Sequence, residues 1–174
     1  MKSNKKVAMI GLALMALLAV SAAGAANALY GNAAAKADKD LTIEDMLLYA
    51  AQDEYLARGE YVAIMAKFGE ARPFSNIKDA EENHLSWLKT AFAARGIAFP
   101  ADASKSHLIV PATLKEAFQT GVQAELDNIA MYERFLTSPL LKDPKNADLV
   151  ALFTELKNAS GNHLRAFQNQ LGKY

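Results

Sequence analysis

Apolar positions recur at three- and four-residue steps along most of the chain, the period of a helix with one buried face. One stripe is Leu47, Ala50, Glu54, Ala57, Tyr61, Ile64, Phe68 and a second is Ile77, Glu81, His84, Leu88, Ala91. A third is Leu114, Phe118, Gly121, Glu125, Ile129, Tyr132, Leu136, and a fourth Leu149, Leu152, Leu156, Ser160, His163, Phe167, Leu171. Local punctuation bounds them. Thr42 with Asp45 resembles a capping box, and Gly69 is a stop. The second helix begins near Ser75 and runs to about Arg95, with Gly96 as its stop. Thr113 with Glu116 opens the third, which ends near Leu136 before Thr137-Ser138-Pro139. Asp143 opens the fourth, with Pro144 in the first helical position, where proline is tolerated; it ends at Gly172. Only Leu108–Val110 hints at a strand, and it is too short to matter.

Four such helices predict an all-α four-helix bundle over residues 41–172. The first and second helices, and the third and fourth, are joined by short connections and read as antiparallel hairpins. The second and third are joined by Gly96–Pro111, which extended covers on the order of 50 Å at about 3.3 Å per residue. A 20-residue helix is about 30 Å long. This crossover can run the bundle's length, with its His-Leu-Ile-Val segment in a groove.

The start of the chain is different. Lys2, Lys5 and Lys6 precede the uninterrupted apolar run Val7–Val20, and small residues follow, with Ala26-Asn27-Ala28 as a cleavage site. That is the layout of a secretory signal peptide over residues 1–28, and the run is short for a membrane span of about 20 residues. The expectation is export to the periplasm or beyond, a mature form that does not span the membrane, and a flexible lead-in over residues 29–40. An uncleaved anchor is the alternative.

Composition narrows the chemistry. Lys+Arg and Asp+Glu are equal at 19 each, which argues against nucleic-acid binding through a basic face. With no cysteine, disulfides, cysteine-ligated zinc, iron–sulfur clusters and thiol catalysis are excluded.

Five ionisable residues interrupt the apolar stripes: Glu54, Glu81, His84, Glu125 and His163. An ordinary core avoids this, because an unpaired buried carboxylate costs several kcal/mol. The pattern also repeats. Glu54-x6-Tyr61 on the first helix matches Glu125-x6-Tyr132 on the third, and the tripeptide Asn-His-Leu occurs around both His84 and His163. Glu81-x-x-His84 points a carboxylate and an imidazole to one side of a helix. With inward Glu from partner helices, the set suits iron, manganese or zinc.

With these motifs the chain resembles the ferritin-like superfamily, in the ferritin and rubrerythrin direction. Its nearest likeness is a prokaryotic domain-of-unknown-function branch sharing the EYLARGEY-like first helix, the FSNI…E-x-x-H second helix and the S-x-x-HLRAF ending. The resemblance covers about Leu41–Leu171. It implies a ferritin-like bundle in which Glu54 is a terminal ligand, Glu81 bridges two metals and His84 binds one. Glu125 mirrors Glu54 and His163 mirrors His84. It also implies iron as the cofactor, one or two ions, with oxygen or peroxide as reactant and an external electron donor if redox-active. Ser160 departs from the pattern, standing where rubrerythrin-type enzymes hold a second bridging Glu. The set is one carboxylate short, which leaves one metal, an asymmetric pair, or closure by water.

Around these, Tyr61 and Tyr132 read as core aromatics with a bonded hydroxyl, or as donors to the ligands. Glu82 and Glu133 read as solvent-facing, His107 as exposed, and Trp87 as packed under the crossover. Arg58 and Arg165 pair with ligand carboxylates or face water. Straight helices leave His84 about 8 Å short of the level of Glu54, at 1.5 Å per residue, unless the loop Gly69–Phe74 runs down the bundle. The function classes left open are a redox enzyme, a metal-binding or sequestering protein without turnover, and a metal-free structural or interaction bundle whose Glu–His pairs are held by hydrogen bonds.

Overall fold

A computed structural model describes residues 29–174; the predicted export signal lies outside them. The described residues are helical, without strands: α1 (Asn32–Ala37), α2 (Ile43–Phe68), α3 (Phe74–Ala94), α4 (Leu114–Thr137) and α5 (Ala147–Leu171). The four long helices form a bundle of two hairpins, α2 with α3 and α4 with α5. None of the described helices is long and apolar enough to cross a membrane.

Two helix starts follow the capping expectation. The Thr42 and Thr113 hydroxyls accept from the amides of Asp45 and Glu116, whose carboxylates accept from the cap amides in return, satisfying donors that a helix start leaves free. Two differ. α3 begins at Phe74 behind Pro73, with no side-chain cap; the fully buried Phe74 ring holds the start by packing. Asp143 caps a 3-10 turn, Pro144–Asn146, and α5 proper starts at Ala147. The corner is tied by Asn146 Nδ2 donating to the Leu140 carbonyl.

The level of His84 is resolved by the first connection. α2 rises about 21 Å from Glu54 to Phe68, while α3 covers only about 15 Å from Phe74 to His84. The segment between them takes up the difference, leaving α2 through Gly69 at φ +86°, a region that favours glycine.

The crossover lies along the outer face of α2. Tyr55 Oη donates to the Pro100 carbonyl, Arg58 pairs with Asp102 at 2.7 Å, the Ile109 amide donates to Glu60 Oε1 at 3.0 Å, and Lys67 reaches the Pro111 carbonyl. Leu108 packs on Gly59, where an added Cβ would come within 2.8 Å of its side chain. Glycine inside a helix costs about 1 kcal/mol relative to alanine; here it admits the crossover to the helix backbone.

Three expectations are corrected. Residues 29–40 are not a loose lead-in but a docked segment carrying α1. The Gly31 amide donates to Gln52 Oε1, the Asn32 amide and side chain both donate to Asp53 Oδ1, and Arg134 donates to the Ala35 and Asp38 carbonyls. Tyr30 and Ala35 are buried. Every partner is distant in sequence, so local composition could not show them. Trp87 is 46% exposed, and the crossover covers α2 instead. His107 is half-buried and stacks on Tyr30 with ring centroids 4.4 Å apart.

The core is divided. One apolar layer gathers Met46, Leu47, Leu88, Phe92, Phe135, Leu149, Phe153 and Leu156. The other gathers Ile64, Phe74, Ile77, Phe118 and Phe167. Every long helix contributes to both, so each carries a short polar stretch through the middle of the molecule. Burial of the two layers, at about 25 cal/mol per Å², is what sets against the cost of that polar floor.

Candidate metal centre

The floor between the layers is built from the residues that broke the stripes. Glu54 on α2, Glu81 and His84 on α3, Glu125 on α4 and His163 on α5 are all buried. Glu81 and His84 are one turn apart, and Nδ1 of His84 lies 2.7 Å from Glu81 Oε2 and 3.0 Å from Glu54 Oε2. Nδ1 of His163 is 3.4 Å from both Glu81 Oε1 and Glu125 Oε1. Glu81 therefore serves two sets of side chains, one oxygen to each.

Each set offers three ligand atoms within 4.8 Å of one another: Glu54, Glu81 and His84 in the first, Glu81, Glu125 and His163 in the second. Both can hold a metal ion. Two carboxylate oxygens and one imidazole nitrogen per set suit hard to borderline divalent cations. Glu125 Oε2 is buried without a hydrogen-bond partner, an orphan of the kind that bound ions explain.

Two tyrosines brace the carboxylates across the hairpins. Tyr132 on α4 donates to Glu54 Oε1 at 2.7 Å, and Tyr61 on α2 donates to Glu125 Oε1 at 3.1 Å. The paired Glu-x6-Tyr spacing becomes a reciprocal contact because α2 and α4 run in opposite directions. Burial, reinforced by the facing carboxylates, pushes both phenols well above their ordinary value, so both remain donors.

Among the described residues, the carboxylates of the floor have no salt-bridge partner beyond the imidazoles. Arg58 is spent on Asp102 and Arg165 on Asn162. Burial drives the Glu81 carboxyl well above the ordinary range, and the neighbouring Glu54 charge adds to this. Burial also works upward on Glu54, but hydrogen bonds from Glu81, His84 and Tyr132 outweigh it and hold that group down to about 2. The two neighbours are thus pushed in opposite directions, Glu81 toward its protonated form and Glu54 toward its ionised form, and a cation bound between such groups competes with protons.

Ser160 is buried on α5 one turn before His163 and belongs to neither set. Glu82 and Glu133 are exposed.

Three buried polar residues beside the floor lie off the apolar stripes. Asp53 receives both Asn32 donors, and burial raises it to about 7 against those hydrogen bonds. It faces α1, whose ordering gives no local signal. Glu60 faces the crossover. Asn128 is buried with Oδ1 unpartnered. The spacing Glu125-x-x-Asn128, parallel to Glu81-x-x-His84, is the signal that could have found it.

No protein-family model matches this chain, and no curated protein sequence does. Its fold is similar to that of a hypothetical protein from Methanococcus jannaschii DSM 2661, with a TM-score of 0.64 and 21% identity over 79% of this chain and 85% of that one. At that identity the likeness concerns the fold alone.

Proposed function

We propose that this chain is an exported metal-binding protein of the ferritin-like type, whose buried floor holds one or two iron ions. The observation that carries this reading is Glu81, shared between two carboxylate–imidazole sets in a layer where, among the described residues, no Lys or Arg pairs with it. Manganese or zinc fits the same donors. Iron held there in its reduced form would supply electrons to oxygen or peroxide, the chemistry of a ferroxidase- or peroxidase-like activity.

The chain's own residues divide the work. Glu54 and His84 would hold one position and Glu125 and His163 the other, with Glu81 between. Tyr132 and Tyr61 orient the two outer carboxylates and keep their hydroxyl protons there. The apolar layers above and below exclude bulk water, which strengthens each electrostatic contact in the floor. With no cysteine in the chain, a reductant would come from a separate electron donor.

A second reading, metal holding without turnover, is favoured by Ser160, a hydroxyl where the two-metal enzymes place a further carboxylate. Reconstitution with Fe(II) or Mn(II), followed by gel filtration and elemental analysis, tests the metal. Wild type is expected to retain at least one ion per chain. A wild-type protein that retains none leaves only a metal-free bundle held by Glu–His hydrogen bonds. Oxygen or peroxide consumption by the Fe(II) form then separates the enzyme from the holder.

A further inference from the structure

The five candidate ligands are buried, so a cation needs a way in. A cavity of about 30 Å³ between α2 and α4 reaches one of them, Glu125, and is lined among others by Asn32, Asp53, Glu60, Tyr61 and Asn128. This is room for about one water-sized guest at a time.

Two oxygens of its lining residues have no protein partner: Glu125 Oε2 and Asn128 Oδ1, on side chains whose residues are 2% and 6% exposed. Leaving such groups unpaired costs about 1–3 kcal/mol each, which calls for a guest. Glu125 divides its oxygens, with Oε1 engaged by Tyr61 and His163 and Oε2 left over. The lining includes three carboxylates, Asp53, Glu60 and Glu125, and no Lys, Arg or His. Acidic groups with no basic neighbour favour a cation over an anion. Asn32 of α1 forms part of the same wall while binding Asp53, so the docked N-terminal segment frames the opening.

We propose that this cavity is the port through which a divalent cation reaches the buried floor, passing Glu60 and Asn128 Oδ1 to Glu125 Oε2. The inference rests on the metal-binding reading above and adds the route and the residues that conduct. It gives Asn128 and Glu60 a role in the rate of loading and none in the final occupancy.

The test is rapid mixing of the full-length protein with Mn(II), stopped by excess EDTA at set times, with protein-bound manganese measured directly. Asn128→Leu, which removes the oxygen and fills the passage, should load at least tenfold more slowly and reach the wild-type endpoint. Glu60→Gln should slow loading severalfold, and it keeps the acceptor for the Ile109 amide should Asn128→Leu fail to fold. Wild-type loading rates in the folded variants would overturn the port and leave the metal centre standing, as would a lowered endpoint at an unchanged rate. A wild-type protein that binds no manganese would overturn both.

Discussion

The Tyr132 hydroxyl donates to Glu54 Oε1 at 2.7 Å, and its counterpart Tyr61 donates to Glu125 Oε1 at 3.1 Å. The two contacts are not equivalent. Glu125 Oε1 also has the His163 ring at 3.4 Å, whereas Glu54 Oε1 has Tyr132. A hydrogen bond to a buried charge is worth about 1.5–3 kcal/mol. Tyr132→Phe is therefore expected to cost that much in urea unfolding of the metal-free protein, and Tyr61→Phe less. The reverse order would mean that Glu54 is not the ionised partner.

Glu81 is common to both sets of donors. Glu81→Gln should abolish metal retention altogether, because an amide supplies neither the charge nor two equivalent oxygens. His163→Ala should spare the Glu54–Glu81–His84 set. Elemental analysis after reconstitution should find no metal in the first variant and a reduced content in the second. Equal retention by Glu81→Gln and wild type would remove Glu81 from the centre.

Burial raises Glu60 above its ordinary 4.5, against the hydrogen bond from Ile109. The folded chain therefore holds this proton more tightly than the unfolded chain does. Above the raised value the cost of the buried charge is present in full, and it disappears as pH falls toward 4.5. Glu60→Gln should be more stable than wild type at neutral pH, with the advantage shrinking as the solution becomes weakly acidic. Chemical denaturation across that range measures it; a pH-independent difference would show that Glu60 does not titrate in this window.

The sole tryptophan of the chain, Trp87, has its ring centroid 5.2 Å from that of His84. A paramagnetic ion at the first set should quench its fluorescence, and His84→Ala should remove most of the response. Titration with Co(II) or Mn(II) reads both. Unchanged emission in a protein shown to contain metal would place the ion at the second set.

The long helices and the five interior ionisable groups were legible because both depend on local periodicity. A carboxylate at Glu54, or an imidazole at His163, contradicts its stripe whatever the rest of the molecule does. The docking of α1 was not legible, since Gly31 and Asn32 find their partners on Gln52 and Asp53, and nothing in a run of small residues encodes that. Trp87 misled for a related reason. A large aromatic suggests burial, but its neighbours on the outward face of α3, Asn83 and Ser86, are exposed. The level of His84 depended on the descent of one short connection, which helix periodicity does not carry.

The two donor sets bind different parts of the architecture. Glu54, Glu81 and His84 all come from α2 and α3, whereas Glu81, Glu125 and His163 come from α3, α4 and α5. An ion in the first place would act as a stitch within one hairpin. An ion in the second would rivet the two halves together, adding to the shared apolar layers and the two tyrosine contacts that already join them. Sequential filling would then harden the protein in two stages, the second resisting separation of the halves by an amount set by affinity and free-ion concentration.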